Sequence, residues 1–260
     1  MIIDKLAYSS AIRYKSPFLK SAFAVGSLII CVGFAAFLPS LIILFLMILL
    51  TLKLSKTNGR HYRNLMLAPF TFLLLGTIVL VFDFAKSPVG IVNIHIGSVY
   101  VVILFERLIY VMRLILVSIS AVSCLYFLIL TTPMTDLLLV FRKLHCPNLL
   151  IELMMMTYRY IFVLFEMAIA ISTAQNCRLA NVNAKSAIRA FGGMLSTVLF
   201  RALQKANFLF DAMESRCYDG KLRVLEEYTK ATAAEKVGVF AVLAAISAIA
   251  VLNSYFKIWI

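Results

Sequence analysis

Two arginine tripeptides, Cys177-Arg178-Leu179 and Ser215-Arg216-Cys217, offer the most specific chemistry in this chain. Each closes a long helical run. A guanidinium is planar, always charged and carries five N–H donors, so it suits bidentate docking against carboxylates of a partner. The helix dipole favours a cation at a C-terminus by about 0.3–1 kcal/mol, which accounts for either arginine alone. The pairing points further: both stand at the ends of neighbouring long helices, flanked by small or neutral residues. Such a chain grips a soluble partner with two cationic fingers and performs no reaction itself.

The other candidate groups are weaker. His61, His95 and His145 are far apart in sequence, whereas a metal site needs convergent ligands. Glu152 and Glu166 are separated by Arg159 at heptad spacing, which reads as a structural ion ladder before an acid–base pair. No Walker-type glycine loop, GxSxG or HExxH occurs. The expectation is no enzyme, no cofactor and no metal site. The net charge is +13, but no basic-aromatic platform accompanies it, so nucleic acid is not an expected partner.

These groups must be carried by a membrane protein. The 260 residues are 63% hydrophobic, with a mean hydropathy of +0.97. Soluble domains rarely exceed about half apolar residues, so lipid is part of the solvent. Apolar runs at Ser21–Leu38, Leu41–Leu54, Leu65–Phe82, Leu108–Leu130 and Val237–Phe256 read as spans, with Pro39-Ser40 breaking the first two apart. The segment 53–63 carries Lys53, Lys56, Arg60 and Arg63 without an acid, which places it in the cytoplasm. Residues 83–99 lie outside, and their Val-Asn-Ile-His-Ile alternation suits a short strand or an interfacial turn. Residues 100–107 read as a lead-in helix to the fourth span, in which Arg113 either snorkels or pairs with Glu106. The N-terminal segment, with Lys5, Arg13, Lys15 and Lys20, reads as retained and cytoplasmic. Five cysteines without a CxxC pair imply no disulfides.

Residues 131–236 change character, holding 13 of the 25 basic and 9 of the 12 acidic residues. Thr132-Pro133 is a helix start, with the hydroxyl as cap and proline in the first turn. Pro147 repeats the device and begins a helix of about 45 Å that runs to Arg178. Its stripe of Glu152, Arg159 and Glu166 favours an amphipathic helix beneath the membrane over a transmembrane one. Lys185–Arg216 is a further amphipathic helix, ended by Asp219-Gly220. Gly192-Gly193 in its interior is explained by close crossing of the preceding helix. The expected fold is therefore an all-α polytopic membrane protein with about five transmembrane helices and a cytoplasmic domain of long coupling helices. Residues 1–130 form an N-terminal four-span domain, 131–236 the coupling domain and 237–260 a C-terminal span.

Several segments resemble one family. Ile3-Asp4-Lys5-Leu6-Ala7-Tyr8-Ser9-Ser10, Ser16-Pro17 and Lys20 are similar to the opening of the transmembrane T component of energy-coupling-factor transporters, in its CbiQ-type group for metal uptake. Leu130-Thr131-Thr132-Pro133 with Asp136-Leu137 resembles the start of that family's coupling region. Pro147 and Tyr158-Arg159-Tyr160 resemble its long coupling helix, and Arg178 and Arg216 match its two X-Arg-X motifs. Arg216-Cys217-Tyr218-Asp219-Gly220 departs from the family's Arg-Gly-Tyr-Asp-Gly at Cys217, and Cys-Arg-Leu departs from its common Ala-Arg-Gly.

The resemblance implies an integral subunit of a bacterial cytoplasmic membrane importer. Two ABC-type ATPase subunits would dock on Arg178 and Arg216, with Cys177, Leu179, Ser215 and Cys217 shaping the contacts. A membrane-embedded substrate-capture subunit would receive the ATP-driven motion and deliver cobalt or nickel ion. Met154, Met155, Met156, Phe162, Phe165 and Phe210 are the candidate surface for that subunit, since methionine adapts to changing contacts. Gly192 and Gly193 would mark the fulcrum. A vitamin importer's T component and a stand-alone secondary transporter are the competing readings.

Overall fold

The computed structural model describes residues 2–55, 59–81, 83–85, 92–96, 99–103, 105–218, 229 and 231–256. Among them the order is α1 (Ile2–Ser9), α2 (Pro17–Phe34), α3 (Phe37–Ser55), α4 (Gly59–Val81), β1 (Asp83–Ala85), β2 (Val92–Ile96), β3 (Val99–Ile103), α5 (Phe105–Thr131), α6 (Met134–Lys143), α7 (Asn148–Cys177), α8 (Ala184–Glu214) and α9 (Ala233–Phe256). The all-α membrane architecture holds, with one small sheet added. β3 pairs antiparallel with both β1 and β2, with Asp83 opposite Val102 and His95 opposite Tyr100. The Val-Asn-Ile-His-Ile alternation is thus a strand. The expected lead-in helix is largely β3 instead, because Val99–Ile103 is a β-branched and aromatic run suited to a pleated surface.

The chain forms two compact units, residues 1–140 with 227–260, and residues 141–226. In the first unit α5 packs against α2, α3 and α4, and α9 packs on α2 and α3. The core comprises Phe23, Ala24, Cys31, Ile43, Met47, Cys124, Phe127 and Ile246, with Phe23 and Phe127 edge to face at 5.8 Å. Gly26 lets α9 approach α2: a Cβ there would lie 3.1 Å from Leu243 Cδ1.

Two cations tie the antiparallel helices α2 and α5 at opposite ends. Lys20 Nζ donates to the carbonyls of Ile12 (3.1 Å), Arg13 (3.2 Å) and Thr131 (3.1 Å), covering the C-terminus of α5. Arg113 Nε donates to the carbonyl of Ala35, the residue that ends α2 at a φ of 41°. Arg113 is therefore a cap for a neighbouring helix, and the side chain of its alternative partner Glu106 lies outside the described residues. The break between α2 and α3 falls at Ala35-Ala36, and Pro39 sits inside the first turn of α3, where a missing N–H costs nothing. The Thr132 hydroxyl makes no cap; it is buried and has no hydrogen-bond partner among the described residues.

Among the described residues five helices are long and apolar enough to cross a membrane, namely α2, α4, α5, α7 and α9, and α3 contributes a shorter apolar helix at Phe37–Lys53. The molecule is a multi-pass membrane protein. By length and composition α7 qualifies as a span, which differs from the sub-membrane placement expected from its three charges.

Candidate partner-docking site

The second unit is built from α7 and α8 and their connections. Pro147 stands at the N-cap of α7, one position earlier than expected, with φ fixed at −54° and its carbonyl accepting from the amides of Leu150 and Ile151. The helix then runs to Cys177. At its end the Leu179 amide donates to the Asn176 carbonyl (3.0 Å) and the Ala180 amide to the Gln175 carbonyl (3.0 Å). At the end of α8 the Cys217 amide donates to Glu214 (2.9 Å) and the Tyr218 amide to Met213 (3.1 Å). Both are the paired 6→1 and 5→2 bonds of a Schellman turn. Arg178 and Arg216 occupy the same position in each, the last residue before the chain turns left-handed. Leu179 and Cys217 supply that left-handed step, at φ values of 54° and 57°.

Leucine and cysteine thus occupy the left-handed positions that glycine would favour. That conformation costs an L-residue about 1–2 kcal/mol through the Cβ–carbonyl contact. The same bonding recurs where α6 ends, with His145 at φ 61° and the Cys146 amide donating to Phe141.

The surroundings of each arginine are pinned. Gln175 Nε2 donates to the Ala190 carbonyl at 2.9 Å, tying the last turn of α7 to α8. Ser186 Oγ donates to the Ala180 carbonyl at 2.8 Å, and the Asn181 amide group donates to Asn176 Oδ1. Beside the second turn Ser215 Oγ donates to Asp211 O at 2.7 Å, and Tyr218 O–H donates to Glu152 Oε2 at 3.1 Å. Glu152 is only 6% exposed. It binds Tyr218 rather than Arg159, and Arg159 and Glu166 are exposed, so the charged stripe is not an ion ladder among the described residues. By contrast Cys177, Arg178, Leu179, Ser215, Arg216 and Cys217 are all exposed. Among the described residues neither the Arg178 nor the Arg216 guanidinium has a hydrogen-bonded or ionic partner.

The remaining candidates divide. Met156 and Phe210 line one groove of about 470 Å³ between α7 and α8, together with Tyr160, Ile161, Leu209 and Met213. Phe162 meets Tyr158 edge to face at 5.0 Å, and Met154, Met155 and Phe162 are half-buried, whereas Phe165 is exposed. Gly192 and Gly193 are not at a close crossing: a Cβ on either would meet nothing within 4 Å. The two helices are joined nearer their hairpin, by Gln175, because the short 178–183 connection brings their ends together first. The Asp219-Gly220 stop lies outside the described residues. Among the described residues no three His, Cys, Asp or Glu side chains converge to hold a metal.

Residues 9–228 match the protein family described as cobalt transport protein, CbiQ. That match runs from α2 through α8 and includes both arginine turns, ending before α9. This chain belongs to the CbiQ cobalt transport protein family. A CbiQ cobalt transport protein of Salmonella typhimurium is 24% identical over 84% of this chain and 97% of its own length. A fused cobalt transport protein, CbiMQ, of Methanocorpusculum labreanum is 33% identical over 94% of this chain and 41% of its own length. An uncharacterized protein of Methanocaldococcus jannaschii is likewise 33% identical, over 86% of this chain and 83% of its own.

Proposed function

We propose that this CbiQ-family chain is the coupling subunit of a cobalt importer, docking two ABC-type ATPase subunits through Arg178 and Arg216 and passing their motion to a membrane-embedded capture subunit. The observation that carries the reading is the matched pair of turns. Two guanidinium groups stand exposed at the same position of two identically bonded helix ends, each braced from behind and neither satisfied among the described residues. A cation left in water on a rigid mount is preorganised for a partner's carboxylate, because little order remains to be imposed on binding.

Other features fit the same reading. α8 buries none of its residues within the chain, so an apolar surface that includes Ile188, Leu199 and Phe208 awaits cover by lipid or protein. The fused CbiMQ relative carries a Q-type part and a further part on one polypeptide, which favours a membrane partner for this chain. The basic segment 53–63 and the positive N-terminal segment support a cytoplasmic N-terminus by the positive-inside rule. Cobalt is favoured over nickel or a vitamin by the cobalt descriptions of the family and relatives. The metal ion is cargo here, handled by the capture subunit.

The test is co-purification with the ATPases from cells expressing the whole transporter. Removing one partner of a desolvated charge pair costs about 2–5 kcal/mol at an interface. The variant with Arg178→Ala and Arg216→Ala inserts in the membrane but loses the ATPases and uptake. Retention of both functions in that variant excludes the coupling role.

A further inference from the structure

The three strands of the first unit sort their residues by face. Directly opposed residues of antiparallel strands lie on one side of a sheet, and the sides alternate along each strand. Phe84, Val101 and Ile94 form one row across β1, β3 and β2. Two residues along β3 in either direction, Ile103 stands opposite Val92 and Val99 opposite Ile96. This face is apolar throughout. The alternate rows are Asp83 with Val102 and Asn93, and Ala85 with Tyr100 and His95. A slip of one residue between β2 and β3 would bring Asn93 and His95 onto the apolar side, so the observed register is the one that keeps the two kinds of residue apart.

Chain connectivity sets where this sheet lies. A single residue separates β1 from α4, and a single residue separates β3 from α5. Such a step covers at most about 7 Å. With 23 and 27 residues, α4 and α5 are about 35 and 40 Å long, slightly more than a hydrocarbon core of about 30 Å, and both are apolar enough to cross it. The sheet is therefore held at the membrane–water boundary from both of its ends. It lies across the membrane from the basic segment 53–63, since α4 leads from one to the other.

An open sheet cannot enter the hydrocarbon, because its edge strands present unpaired backbone N–H and C=O groups. Here β1 and β2 are the edges. Lying along the boundary meets both demands, with the edges among water and headgroups and the apolar face on the acyl chains. Among the described residues the strands pack on one another, and no helix packs broadly on them. The adjoining helix α4 packs on α5 and leaves Phe72, Leu75 and Val79 exposed, so uncovered apolar surface runs along α4 towards the sheet.

We propose that the three-stranded sheet is an interfacial plate resting on the bilayer, with the face of Phe84, Ile94 and Val101 against lipid acyl chains and the face of Asp83, Asn93 and His95 towards water. Its partner is a lipid surface, engaged through apolar area and not through headgroup charge. Seated in this way, the plate holds the adjoining ends of α4 and α5 at a fixed depth.

Fluorescence quenching of the full chain in phosphatidylcholine nanodiscs tests the assignment. Cys146, Cys177 and Cys217 are changed to serine, while Cys31 and Cys124 are buried and stay. Ile94→Cys or His95→Cys then carries an environment-sensitive dye. A nitroxide on the lipid acyl chain is expected to quench the dye on Ile94→Cys several-fold more than that on His95→Cys, and aqueous iodide is expected to reverse the order. Val101→Cys against Tyr100→Cys repeats the comparison on the central strand and decides alone if Ile94→Cys does not insert. Equal quenching of the two positions by iodide means that the sheet stands in water, and overturns the proposal. So does protection of the apolar-face position from both quenchers, in the chain alone or in the assembled transporter, which would assign that face to protein.

Discussion

Leu179 and Cys217 stand one residue beyond the two exposed arginines, and both are left-handed, at φ 54° and 57°. The same pair of backbone bonds closes each turn, so the chain holds the arginines in register without the glycines that left-handed positions favour. Glycine removes the Cβ–carbonyl contact, worth about 1–2 kcal/mol, and returns about 0.5–1 kcal/mol as backbone entropy. Leu179→Gly and Cys217→Gly therefore tighten their turns by up to about 1.5 kcal/mol each. Hydrogen exchange reads this directly, because the amides of Ala180 and Tyr218 close the turns. Slower exchange is expected at Ala180 in Leu179→Gly and at Tyr218 in Cys217→Gly, and Leu179→Val accelerates it. Faster exchange in the glycine variants contradicts the account.

The Tyr218 hydroxyl links the second arginine turn to the first turns of α7 through the buried Glu152. Tyr218→Phe strands that carboxylate, at a cost of about 1–3 kcal/mol. Replacing both partners by apolar groups is nearly neutral by the same reasoning. Tyr218→Phe is expected to weaken ATPase co-purification without abolishing it, and Glu152→Leu in the same chain restores much of the loss. A double variant weaker than Tyr218→Phe alone counts against the brace.

Lys20 and Arg113 differ in how much they satisfy. Lys20 is 7% exposed and serves three carbonyls, whereas Arg113 is half-buried and serves one at Ala35. Each buried acceptor left unpaired costs about 1–3 kcal/mol. Thermal melting in detergent is expected to fall much further for Lys20→Met than for Arg113→Met. Equal melting of the two variants would show that the Lys20 bonds do not hold the helix ends.

The helices were legible because their signals are long-range averages over many residues. The four N-terminal apolar runs, the two long helices after Pro147 and the last span all appear near where hydropathy placed them, although the first break lies at Ala35-Ala36 and not at Pro39-Ser40. Both arginines were legible by type and by position at a helix end. The signals that failed are local or depend on distant partners. Val99–Ile103 could continue a helix until its pairing with β1 and β2 is known. Lys20 looks like an interfacial charge until Thr131 is brought to it. Gly192-Gly193 suggested a crossing, but the short hairpin joins α7 and α8 at Gln175 and Ala190 instead. The left-handed residues were hidden because leucine and cysteine disfavour that geometry, although the repeated spacing of arginine from helix end was a usable clue.

The most direct test uses the thiols already present beside the arginines. Cys177 and Cys217 are exposed, whereas Cys31 and Cys124 are buried in the first unit's core. Alkylation of each thiol is followed with and without the purified ATPases, with the buried pair as internal controls. Docking on Arg178 and Arg216 predicts that Cys177 and Cys217 react readily alone and become strongly protected in the complex. Equal reactivity of both thiols in the presence of bound ATPases would contradict the central claim.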